Sequence, residues 1–136
     1  KEFSLKVFNS VKGLLPHLSP GSDILTEEDF RDIISQESVH LFVAEHNDKI
    51  VGMLTLSVYK IPTATRFWIE DVVVDEAERG KGFGNELIEF AISFARDAGA
   101  KSIDLTSRPF RVAANQLYRK AGFKIRETNV YRYTIS

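Results

Sequence analysis

The sequence predicts one domain of the α/β (α+β) class, in which a mixed sheet is flanked by helices. Segments with helical spacing and β-rich segments follow the order α-α-β-β-β-α-β-α-β-β, without an internal repeat or a linker. The chain has 136 residues, 43% hydrophobic and 27% charged, which suits one globular domain with its own core. We therefore expect a single domain over residues 1–136. Because the chain opens at Lys1 and not at a methionine, we also expect a first strand upstream of residue 4.

The first half of the chain predicts two helices and a hairpin. Apolar residues at helical spacing from Ser4 to about Leu15 predict a helix that Pro16 ends, with a loop over 16–23. Thr26 is the expected N-cap of a second helix, because acidic residues fill the turn after it. Two β-rich segments follow, and a turn at Asn47-Asp48 is expected to join them into an antiparallel hairpin.

The second half predicts two more helices and further strands. The expected elements are a long strand over 66–74, a helix that ends at Gly99, a strand over 101–107, a short helix over 111–122 with Gly122 as its C-cap, and a final hairpin of 123–127 with 130–136. These elements complete a sheet with helices on its faces.

Charge and composition exclude several classes of partner. The formal net charge is −1, so there is no electrostatic case for nucleic acid. The chain has no cysteine and only three histidines without ligand-like spacing, so we expect neither a disulfide nor a metal site. No apolar run approaches the roughly 20 residues that span a bilayer. We expect a cytoplasmic protein without a membrane partner.

Three glycines alternate in the segment "RGKGFG", which begins at Arg79 and leads into a helix. A P-loop would need Ser or Thr after Gly-Lys, but Gly82 follows Lys81, and the dinucleotide fingerprint has a different spacing. Backbone N–H groups at a helix N-terminus form an anion site, and the basic side chains of Arg79 and Lys81 add positive charge. The segment therefore predicts a phosphate or pyrophosphate site, with a simple strand-to-helix turn as the alternative.

Two adjacent acids lie inside the strand predicted over 66–74. Strict alternation would place Glu70 on one face with Trp68, Val72 and Val74, and Asp71 on the other with Ile69 and Val73. At most one acid could then point into a given cleft, unless a bulge breaks the alternation. In the alternative interpretation one acid pairs with an arginine, for which the candidates are Arg66, Arg108 and Arg111, and the other reaches solvent.

The pattern Arg79-x-x-Gly82-x-Gly84 resembles the R/Q-x-x-G-x-G/A signature of the GNAT superfamily of N-acetyltransferases. The segment "LYRKAGF", residues 117–123, is similar to the closing motif of that family. The order of elements also matches, from about residue 4 to the end. The resemblance implies the GNAT acyl-CoA N-acyltransferase fold, a mixed, mostly antiparallel sheet whose central parallel strands splay apart.

The resemblance also implies acetyl-CoA as cosubstrate. It assigns the pyrophosphate to the loop residues Arg79, Gly80, Lys81, Gly82, Phe83, Gly84 and Asn85. The pantetheine arm would enter the gap between the strands 66–74 and 101–107 and bind the backbone of Val72, Val73 and Val74. Many family members carry Asn seven residues before the tyrosine of the closing motif. Arg111 stands there instead, and it could contact the cofactor, pair with a carboxylate or cap the segment "SRPF". Asn115, one position off the usual face, is the substitute candidate for the pantetheine contact.

Direct transfer of the acetyl group to a primary amine is the reaction that the resemblance implies. An alkyl ammonium with a pKa near about 10.4 must first lose a proton, and a carboxylate can accept it. Glu70 is the first choice for this base and Asp71 the alternative. Tyr118 resembles the tyrosine that protonates the leaving thiolate, although simple packing would also explain it. A backbone N–H near Val72 would hold the oxyanion.

A small-molecule amine is favoured as acceptor over a protein amino group, because no long acidic groove is evident. Dimerisation is common in the family, so a homodimer is a further expectation. The rival functions are a non-catalytic acyl-CoA-binding or sensor module, a protein N-acetyltransferase, and a structural subunit whose glycine loop is only a turn.

Overall fold

The computed structural model describes residues 2–18 and 24–135, and the chain divides into two compact units between Thr106 and Ser107. The first unit contains the helices α1 (Leu5–Leu18), α2 (Glu27–Ser35) and α3 (Phe83–Asp97), the strands β1 (Val39–His46), β2 (Lys49–Ile61) and β3 (Ala64–Val74), and a 3-10 turn (Glu76–Glu78). The second unit contains α4 (Val112–Lys120). A single domain remains a prediction.

The three strands form one antiparallel sheet in the order β1-β2-β3. The predicted turn between β1 and β2 is confirmed, since Asn47 and Asp48 have φ of 52° and 62°. Positive φ at both central residues is typical of the type I′ turn, whose twist matches that of the flanking strands. Because β2 pairs with β1 on one side and with β3 on the other, it lies in the middle of the sheet.

Helices cover both faces of the sheet. On one face, α1 and α2 enclose a core cluster of Phe8, Val11, Leu14, Phe30, Ile50, Met53 and Val73. On the other face α3 approaches β2 closely, because a Cβ on Gly52 would lie 3.1 Å from Cδ1 of Leu87 and 3.2 Å from the Val73 carbonyl. A side chain at Gly52 would require the Leu87 side chain and the Val73 carbonyl to shift by a few tenths of an ångström.

The helix boundaries follow local chemistry with one exception. Thr26 caps α2 as predicted, with its Oγ1 accepting from the Asp29 N–H at 3.1 Å. The prediction that Pro16 ends α1 was wrong, because the helix continues to Leu18. Proline has no N–H to donate to the carbonyl four residues earlier, so α1 lacks that hydrogen bond at Pro16. Residues 19–23 of the predicted loop lie outside the described residues.

The predicted strand over 101–107 is reduced to a single parallel bridge. The Ile69 N–H donates to the Asp104 carbonyl, and the Asp104 N–H donates to the Phe67 carbonyl, each at 2.9 Å. Among the described residues no other strand pairs with β3 beyond this point, on the side away from β2. In the described part of the chain, the edge of β3 from Glu70 to Val74 therefore has no partner strand on this side, and we call it the open edge. The splayed arrangement that the resemblance implies needs such an edge.

The second unit is built around α4, which ends in a Schellman motif. Gly122 has φ of 105°, its N–H donates to the Arg119 carbonyl, and the Phe123 N–H donates to the Tyr118 carbonyl, each at 3.0 Å. Gly122 therefore ends α4 as expected, but it lies one position beyond the C-cap residue, which is Ala121. The predicted final hairpin was wrong for the described residues, since 123–135 contain no strand. A hairpin without a larger sheet is only marginally stable.

Candidate active site

A β-bulge interrupts β3 at Asp71. Glu70 pairs with Thr55 and Val73 pairs with Met53, so two residues of β3 lie opposite Leu54 alone. Asp71 has φ of 50°, the left-handed conformation that glycine usually supplies at the first position of a bulge. The predicted alternation was therefore wrong after Glu70, and the bulge moves Val73 to the face that carries Glu70.

Both carboxylates line one cavity as a consequence of the bulge. The cavity has a volume of about 430 Å³ and lies on the face of the sheet that α1 and α2 cover. Its other lining residues are Val11, Leu15, Leu25, Phe30, Ile33, Gln36, Val39, Leu41, Met53, Thr55 and Ser57. Alternation along β2 would have placed Thr55 and Ser57 on the face of Met53, but no motif marked them or Gln36 as site residues.

Partial burial raises the pKa of both carboxyl groups. For Glu70 the main cause is loss of water around the carboxylate, and the negative charge of Asp71 adds to it. For Asp71 the cause is burial. Arg66, on the same strand, forms no ion pair with either acid in the described part of the chain, so this version of the alternative interpretation is not supported. A carboxylate with a raised pKa is a better proton acceptor.

The glycine segment opens α3 without a side-chain cap. Gly82 is the N-cap residue with φ of 89°, and Gly80 has φ of 83°. A Cβ at either position would meet no atom within 4 Å, so within the chain the backbone conformation, not crowding, requires glycine there. The N–H groups of residues 83–85 lie in the first helical turn, where the helix itself offers no acceptor. This end of α3 can therefore receive an anion.

The two basic residues of the loop are both engaged locally. Nε of Arg79 donates to the carbonyl of Val74 at 3.3 Å, which ties the loop to the end of β3. Nζ of Lys81 lies 2.8 Å from Oε2 of Glu78, and this contact lowers the pKa of Glu78. Half of the Lys81 side chain remains exposed, so its charge still contributes to the field at the loop.

The three valines before the loop differ in burial. Val73 is 5% exposed and belongs to the core, whereas Val72 and Val74 are half-buried. Their side chains are structural residues of the sheet. Their backbone lies on the open edge of β3, which is the part of these residues that a ligand could reach.

In the second unit, Tyr118 is 7% exposed. Burial raises the pKa of its hydroxyl, and the positive charge of Arg111 opposes that shift. Its ring lies 6.2 Å from that of Phe123, measured between centroids. Nδ2 of Asn115 donates to the carbonyls of Arg108 and Arg111 at 3.0 and 2.8 Å, so its amide group holds the start of α4. The cofactor roles of Arg111 and Asn115 stay predictions.

Two negative findings apply to the described residues. They contain no group of three or more His, Asp or Glu side chains that could hold a metal ion. None of their helices combines the length and the hydropathy that crossing a bilayer requires.

Comparison with known proteins gives concordant matches. Residues 11–123 match the acetyltransferase (GNAT) family. The uncharacterized N-acetyltransferase YhdJ of Bacillus subtilis is 33% identical over 101 residues, which cover 73% of this chain and 70% of that protein. Glucosamine 6-phosphate N-acetyltransferase 1 of Oryza sativa is 33% identical over 124 residues, covering 82% and 71%. A solved structure from Agrobacterium tumefaciens has a TM-score of 0.87 at 26% identity, covering 98% of both chains.

Proposed function

The chain belongs to the acetyltransferase (GNAT) family, and we propose that it transfers the acetyl group of acetyl-CoA directly to the primary amine of a small molecule. Acetyl-CoA is the acetyl donor of this family. The observation that carries the proposal is the pair of carboxylates, Glu70 and Asp71, which line one cavity beside the open edge of β3. The relatives whose names state a substrate include one that acts on an amino sugar phosphate.

The loop and the strand edge would hold the cosubstrate. The N–H groups of Phe83, Gly84 and Asn85 bind the pyrophosphate, and the helix dipole of α3 and the charge of Arg79 favour it. The backbone of residues 72–74 binds the amide groups of the pantetheine arm in the manner of an added strand. Both regions lie next to each other in the chain, and Arg79 bonds the carbonyl of Val74.

Glu70 then accepts a proton from the ammonium form of the acceptor, so that the nitrogen lone pair can attack the acetyl carbonyl carbon. Asp71 is the alternative proton acceptor, because it lines the same cavity. The N–H near Val72 stabilises the negative charge on the carbonyl oxygen. When the carbon–sulfur bond breaks, Tyr118 donates its hydroxyl proton to the departing thiolate. The nitrogen of the new amide releases its surplus proton to solvent, and the Tyr118 phenolate regains a proton from solvent.

Release of free thiol from acetyl-CoA, followed with a panel of primary amines, tests this function. We expect amine-dependent release together with a thermal stabilisation by CoA alone, which amounts to about 2.7 kcal/mol at 100 times its Kd. Stabilisation without release for any amine would support the rival acyl-CoA-binding module. Release only with peptides would support a protein N-acetyltransferase.

The cellular location and the oligomeric state belong to the same proposal. We infer a cytoplasmic protein, and we infer a homodimer because dimerisation is common in the family. Light scattering of the purified protein at several concentrations tests the homodimer.

A further inference from the structure

The cavity that Glu70 and Asp71 line, called the acceptor cavity here, is apolar on one side and polar on the other. Its apolar wall comes mainly from the helices α1 and α2 and from β1, with Leu15, Ile33 and Leu41 as examples. Its polar groups come mainly from the sheet, where Thr55 pairs with Glu70 across β2 and β3. A ligand in this cavity would therefore contact hydrocarbon on one side and acceptor oxygens on the other.

The charge of the described cavity lining is of one sign, negative. Among the described lining residues the charged groups are Glu70 and Asp71, and none is a lysine, arginine or histidine. An ammonium group is attracted to this pair, whereas a phosphate or carboxylate on the acceptor would be desolvated beside two like charges without a cation to bind it. The volume of about 430 Å³ lies within the usual range for small-molecule sites, about 300–1,000 Å³.

We propose that the acceptor is a primary amine with an apolar body and without a phosphate or carboxylate group. This inference rests on the proposed function, because it names the acceptor class of the same cavity. It separates this chain from the relative named for glucosamine 6-phosphate, whose acceptor carries a phosphate. Acetylation removes the positive charge of the amine, so the product loses its attraction to Glu70 and Asp71 and leaves the cavity more readily than the substrate.

Three related amines separate the contribution of charge from that of shape. They are 2-phenylethylamine, phenylalaninamide and phenylalanine, of which only phenylalanine carries a carboxylate. We expect kcat/KM for the first two to exceed that for phenylalanine by at least about tenfold. Glucosamine should likewise exceed glucosamine 6-phosphate. Equal or higher kcat/KM for phenylalanine or for the phosphorylated sugar would overturn the inference.

Binding measured in the presence of CoA distinguishes failure of this inference from failure of the proposed function. Calorimetry should show 2-phenylethylamine binding more tightly than phenylalanine even if no thiol is released, in which case only the proposed function fails. In the Glu70→Gln/Asp71→Asn variant this preference should disappear, whereas it should persist in Glu89→Gln, which changes an exposed acid on α3. A preference that survives removal of both cavity carboxylates, or that is absent from the unaltered protein, contradicts the inference.

Discussion

Glu70 and Asp71 are neighbours in β3, yet both line the same cavity, because the strand bulges at Asp71. In a regular strand their side chains would point to opposite faces of the sheet. The bulge thus brings two negative charges together where burial already raises the pKa of each carboxyl group. Bulges are common next to active sites because they redirect a side chain at little cost to the rest of the sheet.

The carboxylate pair should destabilise the folded protein at neutral pH. A carboxyl group whose pKa is raised on folding contributes stability below its unfolded pKa, near about 4, and loses it as the pH rises through the folded pKa. The Glu70→Gln/Asp71→Asn variant should therefore have a higher Tm than the unaltered protein at pH 8, with the difference vanishing below pH 4. Because both residues keep solvent contact, the rise should be small. A lower Tm for the variant at pH 8 would contradict this prediction.

The left-handed conformation of Asp71 should determine which substitutions are tolerated. Asp71→Val should destabilise the fold by about 1–2 kcal/mol, because a β-branched residue is strained at φ of 50°. Asp71→Asn and Asp71→Gly should retain stability, since both residues adopt this conformation readily. Urea unfolding of the three variants measures the difference. Equal stability for Asp71→Val would mean that the bulge relaxes in solution.

Gly82 should be required for binding CoA more than for folding. A Val side chain at this position would meet no other part of the chain, but it would intrude on a ligand bound at the start of α3. The positive φ of Gly82 would add strain of about 1–2 kcal/mol to the folded protein. Gly82→Val should lower the affinity for CoA by at least about tenfold, measured by calorimetry. The matched control is Gly13→Ala in α1, which should raise stability by about 0.5–1 kcal/mol and leave the affinity unchanged. Unchanged affinity in Gly82→Val would count against the pyrophosphate site.

Tyr118 should matter for turnover and not for cosubstrate affinity. Tyr118→Phe removes the hydroxyl proton but keeps the buried ring, so kcat should fall by about 10²-fold or more while the Kd of CoA stays the same. Tyr131→Phe is the control, because that residue is 87% exposed. Stopped-flow measurement of thiol release gives kcat for both variants. An unchanged kcat in Tyr118→Phe would leave the tyrosine with a packing role.

Local signals in the sequence predicted the features that depend on neighbouring residues. The cap at Thr26 and the end of α4 at Gly122 need only residues within one helical turn. The cap was predicted correctly, and the end of α4 was predicted to within one residue of the observed C-cap, Ala121. The face of the sheet on which Val73 lies was not predicted correctly. The bulge depends on the pairing of β3 with β2, and the segment "WIEDVVV" does not reveal that pairing. The strand over 101–107 was reduced to the bridge at Asp104 for a related reason, since strand length is decided by the neighbouring strand.

The candidate site shows the same division. The glycine loop could be predicted because positive φ and an uncapped helix start leave a compositional trace at Gly80 and Gly82. The cavity could not, since its lining comes from five elements far apart in the chain and consists mostly of ordinary apolar residues. Thr55 is an example, because only its pairing with Glu70 places it at the site.

A single-turnover assay with the enzyme in excess over acetyl-CoA and with a saturating amine, comparing the unaltered protein with Glu70→Gln/Asp71→Asn, tests the role of the cavity carboxylates most directly. The rate of the double variant should be lower by at least about 10²-fold, with an unchanged Kd for CoA, because proton acceptance is lost while the loop at α3 is intact. A rate equal to that of the unaltered protein would show that the two carboxylates do not take the proton from the amine.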